Sequence, residues 1–363
     1  MNSSLSERRG MKKALAGLML AAALVIPTGC ASWDNPTATQ DHNRELADSL
    51  QASGDPHAAT GVAMVEKLAE VTPLTDDPQP ALPVELTDAD GVDVTVEDTS
   101  RILALDLYGT YTKTLRGLGF SKNIIGRTVS SDEDSLKDVP VVTDGGHTLN
   151  AEAILNLKPS LVIIDHSIGP QEAIDQIRSA GVTVVVMQPS RTMDAIGQDI
   201  KDVAAVVGVP TLGEELAERT EKELEEARAA IEKVKPAEPL RMSFLYARGT
   251  GGVFYLLGEE NHTKDFIEAL GCIDVNTQHG IGAPSPASPE ALAEVNPEIF
   301  VMMRGGLEST GDIAGLLERP GVAQTQAGKN KRVLALPDGD SLAYGPQTPE
   351  LLLRSAHALY GAE

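Results

Sequence analysis

Apolar and polar residues along the chain follow the pattern of short helices that lead into buried strands. The clearest case occurs twice, because residues 152–165 (EAILNLKPSLVIID) are echoed by residues 290–303 (EALAEVNPEIFVMM). Pro159 and Pro297 end the helix in each copy, since a proline disfavours helical backbone at the residue before it. The continuous apolar run that follows is typical of a parallel strand covered on both faces. The repeat predicts two similarly built α/β lobes with a ligand site between them.

The remaining periodicity of residues 100–190 supports this prediction for the first lobe. Strands alternate with helices of about ten residues, the pattern of a parallel sheet with helices on both faces. The predicted strands are Ile102–Asp106, Ile124–Ile125, Leu161–Asp165 and Val182–Met187, and the predicted helices are Tyr108–Gly117, Ala151–Leu157 and Pro170–Ser179.

A long helical pattern separates the two halves. It covers residues 192–207, is interrupted at Gly208-Val-Pro210, and continues over 212–235 with one apolar stripe. We interpret residues 191–236 as a linking helix region and residues 237–363 as the second lobe. Its predicted strands lie at Met242–Tyr246, Val253–Leu257, Ile299–Met303 and Val333–Leu336.

The N-terminus carries a targeting signal. Basic residues precede an apolar stretch at 14–26 that is too short to span a bilayer. The following Thr28-Gly29-Cys30 resembles the lipobox of bacterial lipoproteins, which implies cleavage before Cys30 and acylation, including palmitate, of its sulfur. A plain secretory signal with a chance cysteine is the alternative. Residues 1–29 are thus a predicted lipoprotein signal peptide, and the chain is expected on the outer face of the cytoplasmic membrane.

Residues 30–99 are rich in Asp, Thr, Pro and Ala. We predict an acidic, largely disordered tether there, with one helix at Ala58–Glu70 and a possible short strand where Val92, Val94 and Val96 alternate. The net charge of −23 argues against nucleic acid as a partner.

The order of lobe, long helix and lobe behind a lipoprotein signal resembles the helix-linked (class III) substrate-binding proteins of ABC importers, which carry iron–siderophores, cobalamin and haem. The resemblance covers about residues 100–360 and implies two Rossmann-like lobes joined by a long central helix. It also implies that Glu152 and Glu290, at the same position of the repeat, dock onto arginines of the permease. Two solvated glutamates favoured by the helix dipole are the simpler reading.

Candidate ligand residues occur in a loop of each half. His147 follows Gly145-Gly146, and Tyr246 precedes Arg248 by two positions, which places both on one face of a strand. A phenol has a reference pKa of ~10, and a metal or an adjacent guanidinium stabilises its anion. Tyrosine and histidine are both known axial ligands of haem iron. His147 and Tyr246 are therefore candidate ligands on opposite faces of a ferric haem, with Arg248 hydrogen-bonded to the phenolate oxygen.

Gly-Gly-His in the first lobe and Tyr-x-Arg in the second also resemble the haemin-binding lipoproteins of actinobacterial haem importers. This resemblance implies haem (ferric protoporphyrin IX) as the transported ligand, with His147, Tyr246 and Arg248 in the roles above. The implied partners are an ABC permease with its ATPase subunit, the membrane through the lipid anchor, and possible upstream haem-binding surface proteins.

Other readings remain open at this point. A ferric-siderophore or cobalamin-binding protein of an ABC importer is the main alternative. No hydrolase elbow, phosphate loop or dinucleotide fingerprint occurs in the sequence, so an enzyme is not predicted. Donors to the haem propionates are not decided by the sequence; the candidates are Arg127, Arg191, Arg304 or backbone amides. His166 is a weaker candidate for the cleft.

Overall fold

The computed structural model describes residues 37–361. Cys30 and the predicted signal peptide lie outside the described residues. The N-terminal segment contains helix α1 (Thr37–Ser49), strand β1 (Val62–Met64) and the antiparallel hairpin of β2 (Val84–Thr87) and β3 (Asp93–Val96). No helix of the described range is both long and apolar enough to cross a bilayer.

The N-terminal lobe is built on a parallel four-stranded sheet of order β5–β4–β8–β9. A two-stranded hairpin, β6–β7, projects from it. The elements are β4 (Ile102–Leu105), α2 (Thr110–Gly117), β5 (Ile124–Gly126), β6 (Thr143–Asp144), β7 (Thr148–Leu149), α3 (Ala151–Asn156), β8 (Leu161–Asp165), α4 (Gln171–Ser179) and β9 (Val184–Met187).

Helices α5 (Ile196–Val206) and α6 (Pro210–Val234) connect the lobes. Pro210 occupies the first turn of α6, where its missing N–H costs nothing. With 25 residues, α6 is about 37 Å long. Its buried stripe, including Leu216, Leu224 and Ile231, belongs to one apolar cluster that also contains Leu115 of the first lobe and Phe244 of the second. The linking helix is thus packed into both lobes.

The C-terminal lobe contains a seven-stranded sheet of order β1–β15–β14–β10–β11–β13, with β12 beside β10. Strands β1, β15, β14 and β10 are parallel, and β11 is antiparallel to β10. The elements are β10 (Arg241–Arg248), β11 (Val253–Leu257), α7 (Thr263–Ala269), β12 (Ile273–Asp274), α8 (Val275–Gln278), β13 (Ser285–Pro286), α9 (Pro289–Val295), β14 (Ile299–Met303), α10 (Arg304–Ser309), α11 (Asp312–Glu318), α12 (Gln326–Asn330), β15 (Val333–Leu336) and α13 (Thr348–Tyr360).

The prediction of a largely disordered tether is wrong for residues 41–99, which are folded onto both lobes. Strand β1 extends the C-terminal sheet beside β15, where a helix had been predicted. Farther along, the Leu74 amide donates to the Gly117 carbonyl at 2.8 Å, and the Ala89 amide to the Val186 carbonyl at 2.9 Å. The segment is held by these backbone hydrogen bonds to other elements and by buried apolar side chains, including Leu50, Val65 and Val96, which join the main core cluster.

Candidate functional site

The carboxyl ends of the parallel strands of the two sheets meet at one face of the molecule. Helix α2 follows strand β4 of the first lobe, and its buried Lys113 donates to the Gly339 carbonyl, 3.0 Å away, in the loop after β15. The same ammonium lies 3.6 Å from a carboxylate oxygen of Asp340. Ligands of open α/β sheets bind outside the carboxyl ends of the strands. This edge between the lobes is therefore the candidate binding site.

Tyr246 and Arg248 lie together at the carboxyl end of β10. The guanidinium carbon of Arg248 is 5.2 Å from the centroid of the Tyr246 ring, so the two side chains share one face of the strand, as predicted. Tyr246 is half-buried. Among the described residues, none hydrogen-bonds to its hydroxyl, which leaves the oxygen free for a ligand.

The position of Arg248 is set by neighbouring strand ends. Its Nη2 lies 2.9 Å from Asp338 Oδ1 and 3.1 Å from Met303 Sδ. Asp338 is held in turn by the Gly305 amide, which donates to its other oxygen at 2.7 Å. The guanidinium lies over the face of the Tyr246 ring, and its hydrogen bond to the phenolate oxygen stays a prediction.

His147 lies on the other lobe, at the turn of the β6–β7 hairpin. Gly145 and Gly146 have φ angles of 59° and 91°, a left-handed backbone that favours glycine. The histidine side chain is exposed. The hairpin is tied to the segment after β8, because the Gly169 amide donates to the His147 carbonyl at 3.1 Å. His147 is thereby held at the carboxyl edge of its sheet.

Exposed apolar side chains lie beside the His147 hairpin and beside the carboxyl end of β10. Val129, Val141 and Val253 are 53%, 42% and 38% exposed, and they are three of the five large apolar residues exposed in the described range. A Cβ placed at Gly146 would lie 3.8 Å from Val129 Cγ1. Val253 pairs with Arg248 across β10 and β11. Exposed apolar surface beside polar side chains that could bind iron favours a bound molecule with a large apolar body.

A buried charge cluster at the same edge was not recognised from the sequence. Arg191 contacts the carboxylate of Asp165 and lies 3.7 Å from that of Asp106, and the Tyr111 hydroxyl donates to Asp165 at 2.6 Å. Burial, reinforced by the charge of Asp165 and opposed by Arg191, raises the pKa of Asp106 to about 6. The signal was present, since an aspartate ends or follows both β4 and β8.

The arginines considered for the propionates are engaged within the protein. Besides Arg191, Arg127 donates to the carbonyls of Val139 and Ser131, and Arg304 donates to the Val65 carbonyl. His166 is paired with Asp90 at 2.8 Å.

Glu152 and Glu290 occupy equivalent places in the two lobes. Each lies exposed in the first turn of its helix, α3 or α9. The helices begin alike, because the side chain of Asn150 accepts from the Ala153 amide at 2.9 Å and that of Ser288 from the Ala291 amide at 3.2 Å. The structure thus contains the repeat as two capped helix–strand units.

The sequence profile of the periplasmic binding protein family matches residues 106–339 of this chain. The crystal structure of the haem-binding protein HmuT is 61% identical, covers 85% of this chain and 100% of its own, and superposes with a TM-score of 0.84. The periplasmic haem-binding protein RhuT from Roseiflexus sp. RS-1 is 34% identical over 72% of this chain and 98% of its own, with a TM-score of 0.66.

Two further findings bear on the site. An uncharacterised ABC transporter substrate-binding lipoprotein, YvrC of Bacillus subtilis (strain 168), is 21% identical over 287 residues, which is 77% of this chain and 86% of that protein. Three solved variants of HmuT replace a histidine, a tyrosine and an arginine by alanine. The three replaced residues have the same spacing in sequence as His147, Tyr246 and Arg248.

Proposed function

Because the chain belongs to the periplasmic binding protein family, with its class III fold, we propose that it is the haem-binding component of an ABC importer. It captures ferric haem between its lobes and delivers it to a permease. The family and the relatives above are binding proteins, and haem here is the transported ligand.

One observation carries this proposal: the hydroxyl of Tyr246 is free at the carboxyl end of β10, with a guanidinium 5.2 Å from the ring centroid. A phenol binds ferric iron as its anion, and a nearby cation favours that anion. Arg248 carries such a charge over the face of the ring and is itself oriented by Asp338.

His147 is the proposed ligand on the opposite face of the haem. Its exposed imidazole extends from a glycine turn that adapts its backbone at low steric cost. The spacing shared with the replaced residues of HmuT supports the set of three. Val129, Val141 and Val253 would cover apolar parts of the macrocycle.

We further propose that Cys30 is the lipid anchor on the outer face of the cytoplasmic membrane, and that Glu152 and Glu290 dock onto the permease. The lipoprotein relative supports the first proposal. The equivalent, exposed positions of the two glutamates support the second. An ATPase subunit and upstream haem-binding surface proteins are the other partners expected.

The test is a titration of the purified chain with ferric haem, followed by absorption spectroscopy. We expect a Soret band that saturates at a defined stoichiometry, with the charge-transfer features of iron–tyrosinate ligation. Parallel titrations use a ferric siderophore and cobalamin. Retention of either of these while haem is ignored would contradict the proposal and favour the alternative ligand class.

A further inference from the structure

The turn between β10 and β11, residues 249–252, follows directly on the strand that carries Tyr246 and Arg248. The Gly249 amide donates to Ser309 Oγ at 2.9 Å, and Arg319 Nη1 donates to the carbonyls of Thr250 and Gly251 at 2.7 and 2.8 Å. A Cβ added at Gly251 or Gly252 would meet no atom within 4 Å. Because glycines have the most backbone freedom to lose, the position of this turn beyond the last ladder pair, Arg248 and Val253, depends on these few hydrogen bonds.

Arg319 is itself held by its surroundings. It directly follows α11, and its guanidinium carbon is 4.2 Å from the centroid of the Phe254 ring. Together with Thr250, Phe254 and Pro289 it lines an open cavity of about 490 Å³. The side chain therefore bridges strand β11, the turn and the surface beside α9.

The backbone after Arg319 packs directly on the first turn of α9. Gly321 has a φ of 90°, and a Cβ placed there would lie 2.6 Å from Pro289 Cα. Pro289 is the neighbour of Glu290 in the same turn. The two backbones therefore approach each other closely at Gly321, and we expect a displacement of this turn of α9 to move the backbone that carries Arg319.

We propose that Arg319 is a positioning residue that couples the start of α9 to the ligand end of β10. The inference rests on the proposed function. When a partner engages Glu290 and shifts α9, the 319–321 backbone moves and the hydrogen bonds to Thr250 and Gly251 are lost. The end of β10 then loosens around Tyr246, and haem leaves faster. The coupling runs through contiguous contacts, so it is open to a double-mutant cycle.

The first experiment compares Arg319→Gln with Arg101→Gln. Arg101 is the matched control, because it also donates to two successive backbone carbonyls, those of Leu157 and Lys158, and lies in the other lobe. In the ligand-free chain, hydrogen exchange of peptides covering 246–254 should be about tenfold faster in the Arg319 variant only. Transfer of haem to apomyoglobin should accelerate about tenfold as well, while the iron–tyrosinate spectrum at saturation stays unchanged.

The second experiment tests the coupling. Ser288→Ala removes the side-chain cap of α9, and Asn150→Ala removes the equivalent cap of α3 on the other lobe. Ser288→Ala should accelerate haem release several-fold in the wild-type background, but not further in the Arg319→Gln background. The effect of Asn150→Ala should multiply independently with that of Arg319→Gln, because Asn150 also donates to Asp144 Oδ2 at 3.3 Å, in the His147 hairpin of the other lobe.

Unchanged exchange at 246–254 in Arg319→Gln overturns the positioning role. Rate effects of Ser288→Ala and Arg319→Gln that multiply independently overturn the coupling. If no form of the chain binds haem, the proposed function fails, while the exchange comparison still decides whether Arg319 positions the turn.

Discussion

The two segments that carry the proposed iron ligands are built in opposite ways. Tyr246 lies on an eight-residue strand inside a seven-stranded sheet, beside an arginine that is held by Asp338. His147 lies on a turn between two two-residue strands, follows two glycines with positive φ, and is exposed.

This difference indicates unequal roles for the two lobes. A side chain on a packed strand loses little freedom when it binds a ligand, whereas one on a glycine turn must first be ordered. We therefore expect the tyrosine side to supply most of the affinity and the histidine side to close onto the haem afterwards.

The largest effect is expected for Tyr246→Phe, which removes the ligand oxygen and keeps the ring. Haem affinity should fall by more than about 100-fold, beyond the 10–100-fold typical of losing an outer-shell partner. The charge-transfer features of iron–tyrosinate should disappear from the absorption spectrum. Tyr255→Phe is the matched control, because Tyr255 is the cross-strand neighbour of Tyr246 and is also half-buried. Equal losses in both variants would contradict the ligand assignment.

Arg248→Ala should weaken haem binding by about 10–100-fold, as expected for a group that tunes a ligand. Loss of a cation beside the phenolate disfavours the anion, so the pH below which iron–tyrosinate ligation disappears should rise. Spectra recorded across a pH titration measure this midpoint. Arg248→Lys keeps the charge and should recover part of the shift; a midpoint identical in all three forms would show that Arg248 acts only by packing.

His147→Ala should lower haem affinity about tenfold, less than Tyr246→Phe does. The entropy lost when the turn of His147 is ordered offsets part of the free energy gained from the bond between histidine and iron. The measurement is the same haem titration, together with electron paramagnetic resonance of the ferric iron. His166→Ala, which removes another exposed histidine of the first lobe, should leave both unchanged. A loss of haem affinity equal to that of Tyr246→Phe would contradict the unequal roles proposed for the two lobes.

The smallest effect on haem binding is expected for Asp340, at the junction of the lobes, where the predicted effect is on the free energy of unfolding. Burial raises the pKa of Asp340 to about 6, against the opposing charge of Lys113. The folded state then binds the proton more tightly than the unfolded state, so the free energy of unfolding falls as pH rises from about 4 through 6, by at most ~3 kcal/mol. Asp340→Asn should flatten this part of the profile. Urea denaturation at several pH values measures it, and parallel profiles would contradict the assignment.

Much of the fold was predictable from local patterns. The strands at 161–165, 253–257, 299–303 and 333–336 were predicted with their observed bounds, because each is a compact apolar run with clear ends. The α/β class and the long linking helix were also confirmed. The short strand predicted where Val92, Val94 and Val96 alternate is present as β3, whereas strand β1 was not predictable, because it pairs with β15, about 270 positions away in the chain.

Local sequence patterns specify the repeated helix–strand units, the sharing of one strand face by Tyr246 and Arg248, and the glycine turn before His147. These depend on backbone periodicity and local sterics, which act over a few residues. Three other features depend on the folded chain: Arg248 is bound to Asp338, Arg191 is engaged with two buried aspartates, and Arg319 donates to the turn after β10. Such pairings join residues up to 90 positions apart, and a charged side chain selects its partner only after the folded backbone has brought the candidates together.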